Sequence, residues 1–421
     1  MPKFLKQRGT IDIFDVEAVL YEKILDALKK QSRLFNYNPI VVPTFESSNL
    51  YTRATGESSD IVTKEMYDFK DKKGRDITLR PEGTAGVIRA VVENKLYAIN
   101  DLPLKYYYSG SFFRYERPQV GRYREFMQFG VEVVGSNSYL DDIDTILLIK
   151  NILKELKIND YKIRINTFGN VNCRNKHRDN IKEFFSVHVD NLCEDCKNRY
   201  EKNPLRILDC KVDKEYIEKL DIPVAYDSLD DESKELFAKV LDILSDNDVK
   251  YEVDKYLVRG LDYYTGLIYE VDVALKDGKV LTIGGGGRYS SLVKELDGPD
   301  LNCVGFGLGI NRLALVLQDL YTLDYFKEHA KYYIMPFSLD AHKLAIKVAE
   351  SLRGNGNSTV IETASKSVGS MFKYASKHDF DYALMIGDDE IKSNQIKVKN
   401  LKTQEQFYIA VDELLGGKLN G

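Results

Sequence analysis

Residues 112–135, FFRYERPQVGRYREFMQFGVEVVG, constrain the fold more than any other stretch. The pattern predicts a hairpin: a first strand ending near Arg117, a loop carrying Pro118 and Gly121, and a second strand over 125–135. Successive side chains on a strand point to opposite faces. On the second strand Met127, Phe129, Val131 and Val133 therefore share an apolar face, and Phe126, Gln128, Gly130 and Glu132 share the other. On the first, Arg114 and Glu116 face away from Phe113 and Tyr115. With the apolar faces aligned, Arg114, Glu116, Phe126, Gln128 and Glu132 form one wall. Two readings stay open: a solvated face of a half-buried sheet, or the wall of a site whose polar groups a ligand satisfies.

Composition narrows the setting. A chain of 421 residues has room for two or three domains with real cores. Its net charge of −5 gives no electrostatic footprint for nucleic acid, so such a partner must be argued from a site. No apolar run approaches the ~20 residues of a membrane span. The N-terminus lacks the apolar core and cleavage site of a signal peptide, which makes a cytoplasmic location the default expectation. Five cysteines, an odd number, argue against a disulfide framework.

Along the chain, apolar residues at helical spacing (Val19, Leu20, Ile24, Ala27, Leu28, Leu34) predict a helix over 16–36. A short strand over 40–42 ends at Pro43. This unit reads as a core element or as an oligomer contact. A second hairpin is expected from 66–70 and 76–80. Pro81-Glu82-Gly83-Thr84 then leads into a helix over 85–93. There Thr84 is either the helix cap or, with Glu82, part of a site for an amine at the end of a strand. A helix over 141–156 and a strand over 162–166 follow. Residues 169–250 change texture to short helices, dense charge and four cysteines, and read as an inserted module. Cys173, Cys193, Cys196 and Cys210 are either zinc thiolates or buried free thiols. One CxxC with two loosely spaced partners does not choose between them, and no metal ligand is assigned.

The sheet is expected to resume at Tyr256, with a hairpin turn at 276–279 and a strand over 280–283. Gly284–Gly287 reads as a tight, closely packed turn or as a place where a ligand meets bare backbone. It is no phosphate loop, because no Gly-Lys-Ser/Thr follows. In 303–312 the glycines Gly305, Gly307 and Gly309 alternate with Phe306, Leu308 and Ile310. One face of that strand is bare, which suits close approach by a flat ligand or another backbone. After Tyr325, strands over 332–335, 359–362 and 382–386 alternate with helices over 340–352 and 368–377. A hairpin over 395–410 completes a small α/β domain.

Together these motifs resemble a known family. FRYERPQVGRYREF, GFGLGINRL and the helix–strand–Pro43 unit resemble the three signature motifs of class II aminoacyl-tRNA synthetases. LVRGLDYYTGLIYEV and TLRPEGTAG resemble the signatures of the histidyl-tRNA synthetase family, and the likeness runs through NPLRILDCK and the C-terminal unit. The resemblance implies an α+β catalytic core of class II type over 1–168 and 251–322, with a mixed, mainly antiparallel sheet. It also implies a mainly helical insertion over 169–250 and an α/β anticodon-binding domain over 328–421. The implied activity is an AMP-forming ligase of protein biosynthesis that joins L-histidine to tRNA(His) through a histidyl-adenylate. ATP would bind with Mg²⁺, and two copies would form a homodimer through the Pro43 unit.

Residue by residue, the resemblance assigns Arg114 to the histidine carboxylate and the α-phosphate, and Arg259 to the α-phosphate, where other class II enzymes place a metal. These two would be the catalytic pair. Glu116 would accept from the adenine amino group, Phe126 would stack under adenine with Arg312 above it, and Arg122 would hold the γ-phosphate. Glu82 and Thr84 would bind the α-amino group. Gln128, Glu132 and Tyr264 would read the imidazole, with Tyr263 beside them in the histidine site. Glu270 is a candidate metal ligand or a surface residue. The loop 118–124 would meet the tRNA acceptor end. The segment KSVGSMFK is less basic than the family implies, which leaves the anticodon contacts open. The alternative is a non-catalytic, synthetase-like regulatory subunit of an ATP phosphoribosyltransferase. Such paralogues usually lack the anticodon domain and parts of the arginine motifs, whereas Arg114, Arg259, Arg312 and the C-terminal domain are all present here.

Overall fold

The apolar stripe near the N-terminus folds as the helix Asp15–Leu34, which buries Leu20, Ile24 and Leu28. Val19 and Leu34, counted in the same stripe, are 44% and 70% exposed, so the buried face is narrower than the stripe. The structure is a computed structural model that describes residues 4–56, 59–261, 263–322, 329–364 and 366–416. The chain divides into two compact units, Met1–Thr322 and Leu323–Gly421.

In chain order the strands of the first unit are β1 (Asn38–Pro39), β2 (Phe45–Ser47), β3 (Tyr67–Lys70), β4 (Asp76–Leu79), β5 (Leu104–Phe113), β6 (Glu125–Val134), β7 (Tyr161–Thr167), β8 (Tyr251–Val253), β9 (Tyr264–Ala274), β10 (Val280–Tyr289) and β11 (Cys303–Gly309). Eight of them form one sheet in the order β1-β5-β6-β11-β10-β9-β7-β8, and β2-β4-β3 form a small second sheet. In the large sheet only β1–β5 and β7–β8 pair in parallel. All its other ladders are antiparallel. The sheet is thus mixed and mainly antiparallel; the opening hairpin β5–β6 lies next to the glycine strand β11, which with β10 forms the central pair.

Several predicted boundaries move. The first hairpin strand ends at Phe113 rather than near Arg117, because the backbone leaves the ladder there. Tyr115 N–H donates to Glu65 O at 2.7 Å and Glu116 N–H folds back onto Arg114 O at 2.8 Å. The strand expected at 40–42 lies two residues earlier, paired with Tyr106 and Tyr107, and Ile40 adds only a single bond to Tyr107 O. The sheet resumes at Tyr251, not Tyr256. Gly284–Gly287 forms no turn; it lies inside β10. A Cβ on Gly284 would stand 2.1 Å from Gly307 O, and one on Gly286 would stand 2.1 Å from Gly305 O. The run is glycine because two backbones crowd each other there.

Residues 169–250 are mainly helical, with helices Val171–Phe185, Glu194–Lys202 and Asp231–Asp246, and fall within the first unit. The second unit has strands β12 (Lys331–Pro336), β13 (Ser358–Ile361), β14 (Tyr382–Ile386), β15 (Gln395–Asn400) and β16 (Gln406–Ala410), in the order β13-β12-β14-β15-β16. Its first three strands are parallel, as strand–helix–strand crossovers require. Ile334, Leu384, Ile396 and Val398 fill its own core against the helix Leu339–Gly354. Short helices Asp388–Ser393 and Val411–Leu415 join the predicted elements. The predicted domain start at residue 328 lies outside the described residues. Among the described residues no helix is long and apolar enough to cross a membrane.

Candidate active site

The polar face of β6 opens onto a cavity of ≈ 540 Å³ in the first unit. The glycine strand makes the room. A Cβ on Gly305 would fall 2.2 Å from Glu132 Oε2, and one on Gly307 would fall 2.7 Å from Gln128 Nε2. The bare face predicted for β11 is therefore the space in which the side chains of β6 stand. The twelve residues assigned to histidine or ATP from the sequence, and Glu270 with them, all line this cavity; Glu82 with Thr84, Arg114, Glu132, Arg259 and Arg312 reach it from five different segments.

At one end Glu132 is buried and accepts three hydroxyl hydrogen bonds: from Thr84 at 2.7 Å, Tyr289 at 2.6 Å and Tyr108 at 3.3 Å. Burial is the largest influence on its carboxyl and pushes the pKa up to about 8. Gln128 Nε2 donates to Tyr108 OH at 3.5 Å. Tyr263 packs between Tyr264 and Tyr289, with ring centroids 4.8 and 5.2 Å away. Tyr108 and Tyr289 were not singled out in the sequence. Strand alternation back from Arg114 through Phe112 and Gly110 would have put Tyr108 on the same wall. Nothing in the sequence marks Tyr289, which enters through the β10–β11 ladder.

Glu82 sits beside this end, buried, and accepts from Thr84 N–H at 2.7 Å and Ala85 N–H at 2.8 Å. Glu82, rather than Thr84, therefore satisfies the first amides of the helix Thr84–Glu93, and the Thr84 hydroxyl turns to Glu132. Burial raises the Glu82 carboxyl above its ordinary range, while these two amides pull it back.

Two guanidinium groups hold the middle. Arg114 Nε donates to Pro81 O at 2.9 Å. Arg259 Nη1 donates to Glu270 Oε1 at 2.5 Å, and its guanidinium lies 5.7 Å from the Tyr264 ring centroid. Glu270 Oε2 is held by Arg164 at 2.6 Å, and Arg164 also grips Asp254 and Asp272. Glu270 is thus no isolated surface residue. Both its oxygens are committed to arginines, and it orients Arg259.

At the far end Glu116 pairs with Arg122 at 3.3 Å and, more loosely, with Arg114 at 3.9 Å. Phe126 lies under the Arg114 guanidinium at 5.4 Å. Arg312 is tied to the backbone carbonyls of Thr282 and Gly121. The cation that faces Phe126 here is Arg114, while Arg312 lines the cavity from the helix Ile310–Leu320. The cysteine quartet is not brought together. Cys173 accepts from Asp230 N–H and lies near Ser233, whereas Cys193, Cys196 and Cys210 converge elsewhere with Asp213.

An antiparallel floor with arginines at its centre and carboxylates at both ends has the features that the resemblance to class II aminoacyl-tRNA synthetases implies. Residues 9–313 match the family model described as histidyl-tRNA synthetase, and residues 331–417 match one described as an anticodon binding domain. The histidine–tRNA ligase of Thermosipho melanesiensis is 42% identical over 98% of both chains. The apo S. aureus histidyl-tRNA synthetase superposes with a TM-score of 0.80 at 33% identity, covering 98% of this chain and 99% of that one. An ATP phosphoribosyltransferase regulatory subunit/histidyl-tRNA synthetase from Bacillus halodurans C superposes with a TM-score of 0.65 at 22% identity, which speaks to the fold alone. The chain belongs to the histidyl-tRNA synthetase family.

Proposed function

We propose that the chain joins L-histidine to tRNA(His) in two steps, forming histidyl-adenylate from histidine and ATP with release of pyrophosphate, then passing the acyl group to tRNA with release of AMP. The observation that carries this reading is the single cavity with an imidazole-sized polar end at Glu132 and Gln128, a cationic centre at Arg114 and Arg259, and a second end at Glu116 and Phe126. Histidine binds with its α-amino group toward Glu82 and Thr84 and its imidazole between Glu132, Gln128 and Tyr264. Adenine stacks on Phe126 with its amino group toward Glu116.

In the first step the histidine carboxylate attacks the α-phosphorus. It is already ionised at neutral pH and needs no base. The difficulty is electrostatic, because two anions must meet. Arg114 and Arg259, fixed by Pro81 O and Glu270, offset that repulsion without reorganising. Holding both substrates in one cavity supplies the rest. Arg122 faces the outgoing phosphates, and Arg312 closes over the adenine opposite Phe126. Mg²⁺ bound to ATP would neutralise the pyrophosphate. Glu270 does not suit it as a lone ligand, since two arginines hold its oxygens. An apolar amino acid would bring no polar group to Glu132 and Gln128 and would forgo the bonds that the imidazole makes there, a penalty in a buried site.

The exposed loop at Val120, between Pro118 and Arg124, suits the tRNA acceptor end, and the second unit suits the anticodon. Exposed Phe14, Val16, Val19, Val41 and Phe45 around the Pro43 unit support a homodimer that covers them. Such an enzyme would work in the cytoplasm. The regulatory-subunit alternative would need none of the arginine centre, and the presence of Arg114, Arg259 and Arg312 in one cavity favours the ligase. The test is ATP–pyrophosphate exchange with each of the twenty amino acids. Histidine alone should support it; no exchange with histidine, or equal exchange with another amino acid, would refute the reading.

A further inference from the structure

Outside the cavity's chemistry the insertion carries a second constellation. Cys193 and Cys196 are separated by two residues, and so are Cys210 and Asp213. The pattern is C-x-x-C, a thirteen-residue spacer, then C-x-x-D, close to the paired-knuckle spacing of zinc ribbons with one carboxylate in place of a thiolate. The first pair opens the helix Glu194–Lys202. The second begins at the residue that ends the 3₁₀ turn Pro204–Asp209. The fold brings one ligand atom from each of the four residues to within 4.8 Å of the others.

The distances are those of a tetrahedral ion's ligands. Zinc bonds sulfur at ~2.3 Å and carboxylate oxygen at ~2.0–2.2 Å, so a tetrahedral site has S···S edges of about 3.8 Å and S···O edges of about 3.5–3.6 Å. Cys193 Sγ and Cys210 Sγ are 3.8 Å apart, and Cys210 Sγ lies 3.6 Å from Asp213 Oδ2. The surrounding amides point the same way: Asp213 N–H donates to Cys210 Sγ at 3.3 Å, and Cys193 N–H donates to the Asp213 carboxylate at 3.0 Å. These bonds orient the ligands. Cys196, Cys210 and Asp213 are buried and Cys193 is half-buried. A buried carboxylate against three sulfurs is a costly arrangement without a cation.

We propose that Cys193, Cys196, Cys210 and Asp213 bind a structural zinc ion, and that Cys173 takes no part. The site is closed by four protein ligands, as structural zinc sites are. Its place explains what it would secure. The helix it opens carries Arg199, which with Arg206 grips Asp60 at 3.0 and 2.7 Å and so ties the insertion to the catalytic core. Cys193, Cys210 and Lys211 also line the cavity. The ion would set the wall that the insertion contributes.

The experiment measures metal rather than activity, so it is independent of the ligase reading. The full-length chain is produced with zinc in the medium and dialysed against EDTA. Metal content and intact mass under native conditions are then determined. One zinc per chain is expected in the wild type and in Cys173→Ser, and none in Cys210→Ser. Asp213→Cys should retain it. Titrating the wild type with an organomercurial should release the zinc as the clustered thiols are modified, which needs no variant to fold. A wild type without zinc, or one lighter by two hydrogens through a Cys193–Cys210 disulfide, would overturn the proposal. So would equal zinc loss in Cys173→Ser and Cys210→Ser.

Discussion

Glu132 shows how much a single residue can be asked to do. Its carboxyl accepts from three hydroxyls and, among the described residues, pairs with no cation, and burial moves its pKa from 4.5 to about 8. Between those values the unfolded chain ionises this group while the folded chain keeps its proton. The folded state then binds more protons, so its stability falls as pH rises through the window and stops falling above it. The slope is at most about 1.4 kcal/mol per pH unit. Glu132→Gln cannot titrate, so the wild type should lose stability relative to the variant between pH 4.5 and 8. Urea midpoints measured across that range check this, and parallel profiles would contradict it. Arg259 makes the complementary case. Arg259→Ala leaves Glu270 held by Arg164 and removes a fixed cation from the reacting centre. Histidine-dependent pyrophosphate exchange should fall by roughly 10²–10³, the usual cost of one preorganised charge-stabilising donor. A rate near wild type would take Arg259 out of the mechanism.

At the scale of elements, β6, β10 and β11 divide their glycines between two tasks. Gly284 faces backbone: its added Cβ would lie 2.1 Å from Gly307 O. Gly284→Ala should therefore force strands apart and cost about 1–3 kcal/mol, as overpacking does. Gly307 faces only the flexible end of Gln128, 2.7 Å away. Gly307→Ala should leave the melting temperature nearly unchanged and raise KM for histidine several-fold by turning Gln128 aside. If both substitutions destabilise equally, the division of labour is wrong. The same strands show what was legible in the sequence. Period-two alternation located the polar wall on β6, and period 3.6 located the helix Asp15–Leu34 to within two residues. Gly284–Gly287 was misread because local propensity makes a glycine run a turn, whereas a long-range backbone contact makes it a strand. The cysteine quartet failed for a related reason. Spacing along the chain could not show that Cys173 turns to Asp230 while Asp213 completes the cluster.

For the whole molecule, every residue assigned to adenylation lies in the unit Met1–Thr322, and the unit Leu323–Gly421 has its own sheet and core. Each unit buries its own apolar residues, as domains that can fold alone do. Residues 326–421 carry 13 Lys+Arg against 12 Asp+Glu, so the net charge of the second offers little general attraction for RNA. In KSVGSMFK, Lys366 is paired with Glu362 at 2.9 Å and lies 4.4 Å from the Tyr374 ring centroid. Its contribution to tRNA must then come from shape and specific contacts more than from net charge. Deleting 323–421 should leave histidine-dependent pyrophosphate exchange largely intact, because no cavity residue is removed. It should sharply reduce charging of tRNA(His), because the binding energy that places the acceptor end over the adenylate is lost. Side-by-side measurement of the two activities decides it. A truncated chain that stays folded by circular dichroism yet loses both activities equally would make the second unit a structural support for the first.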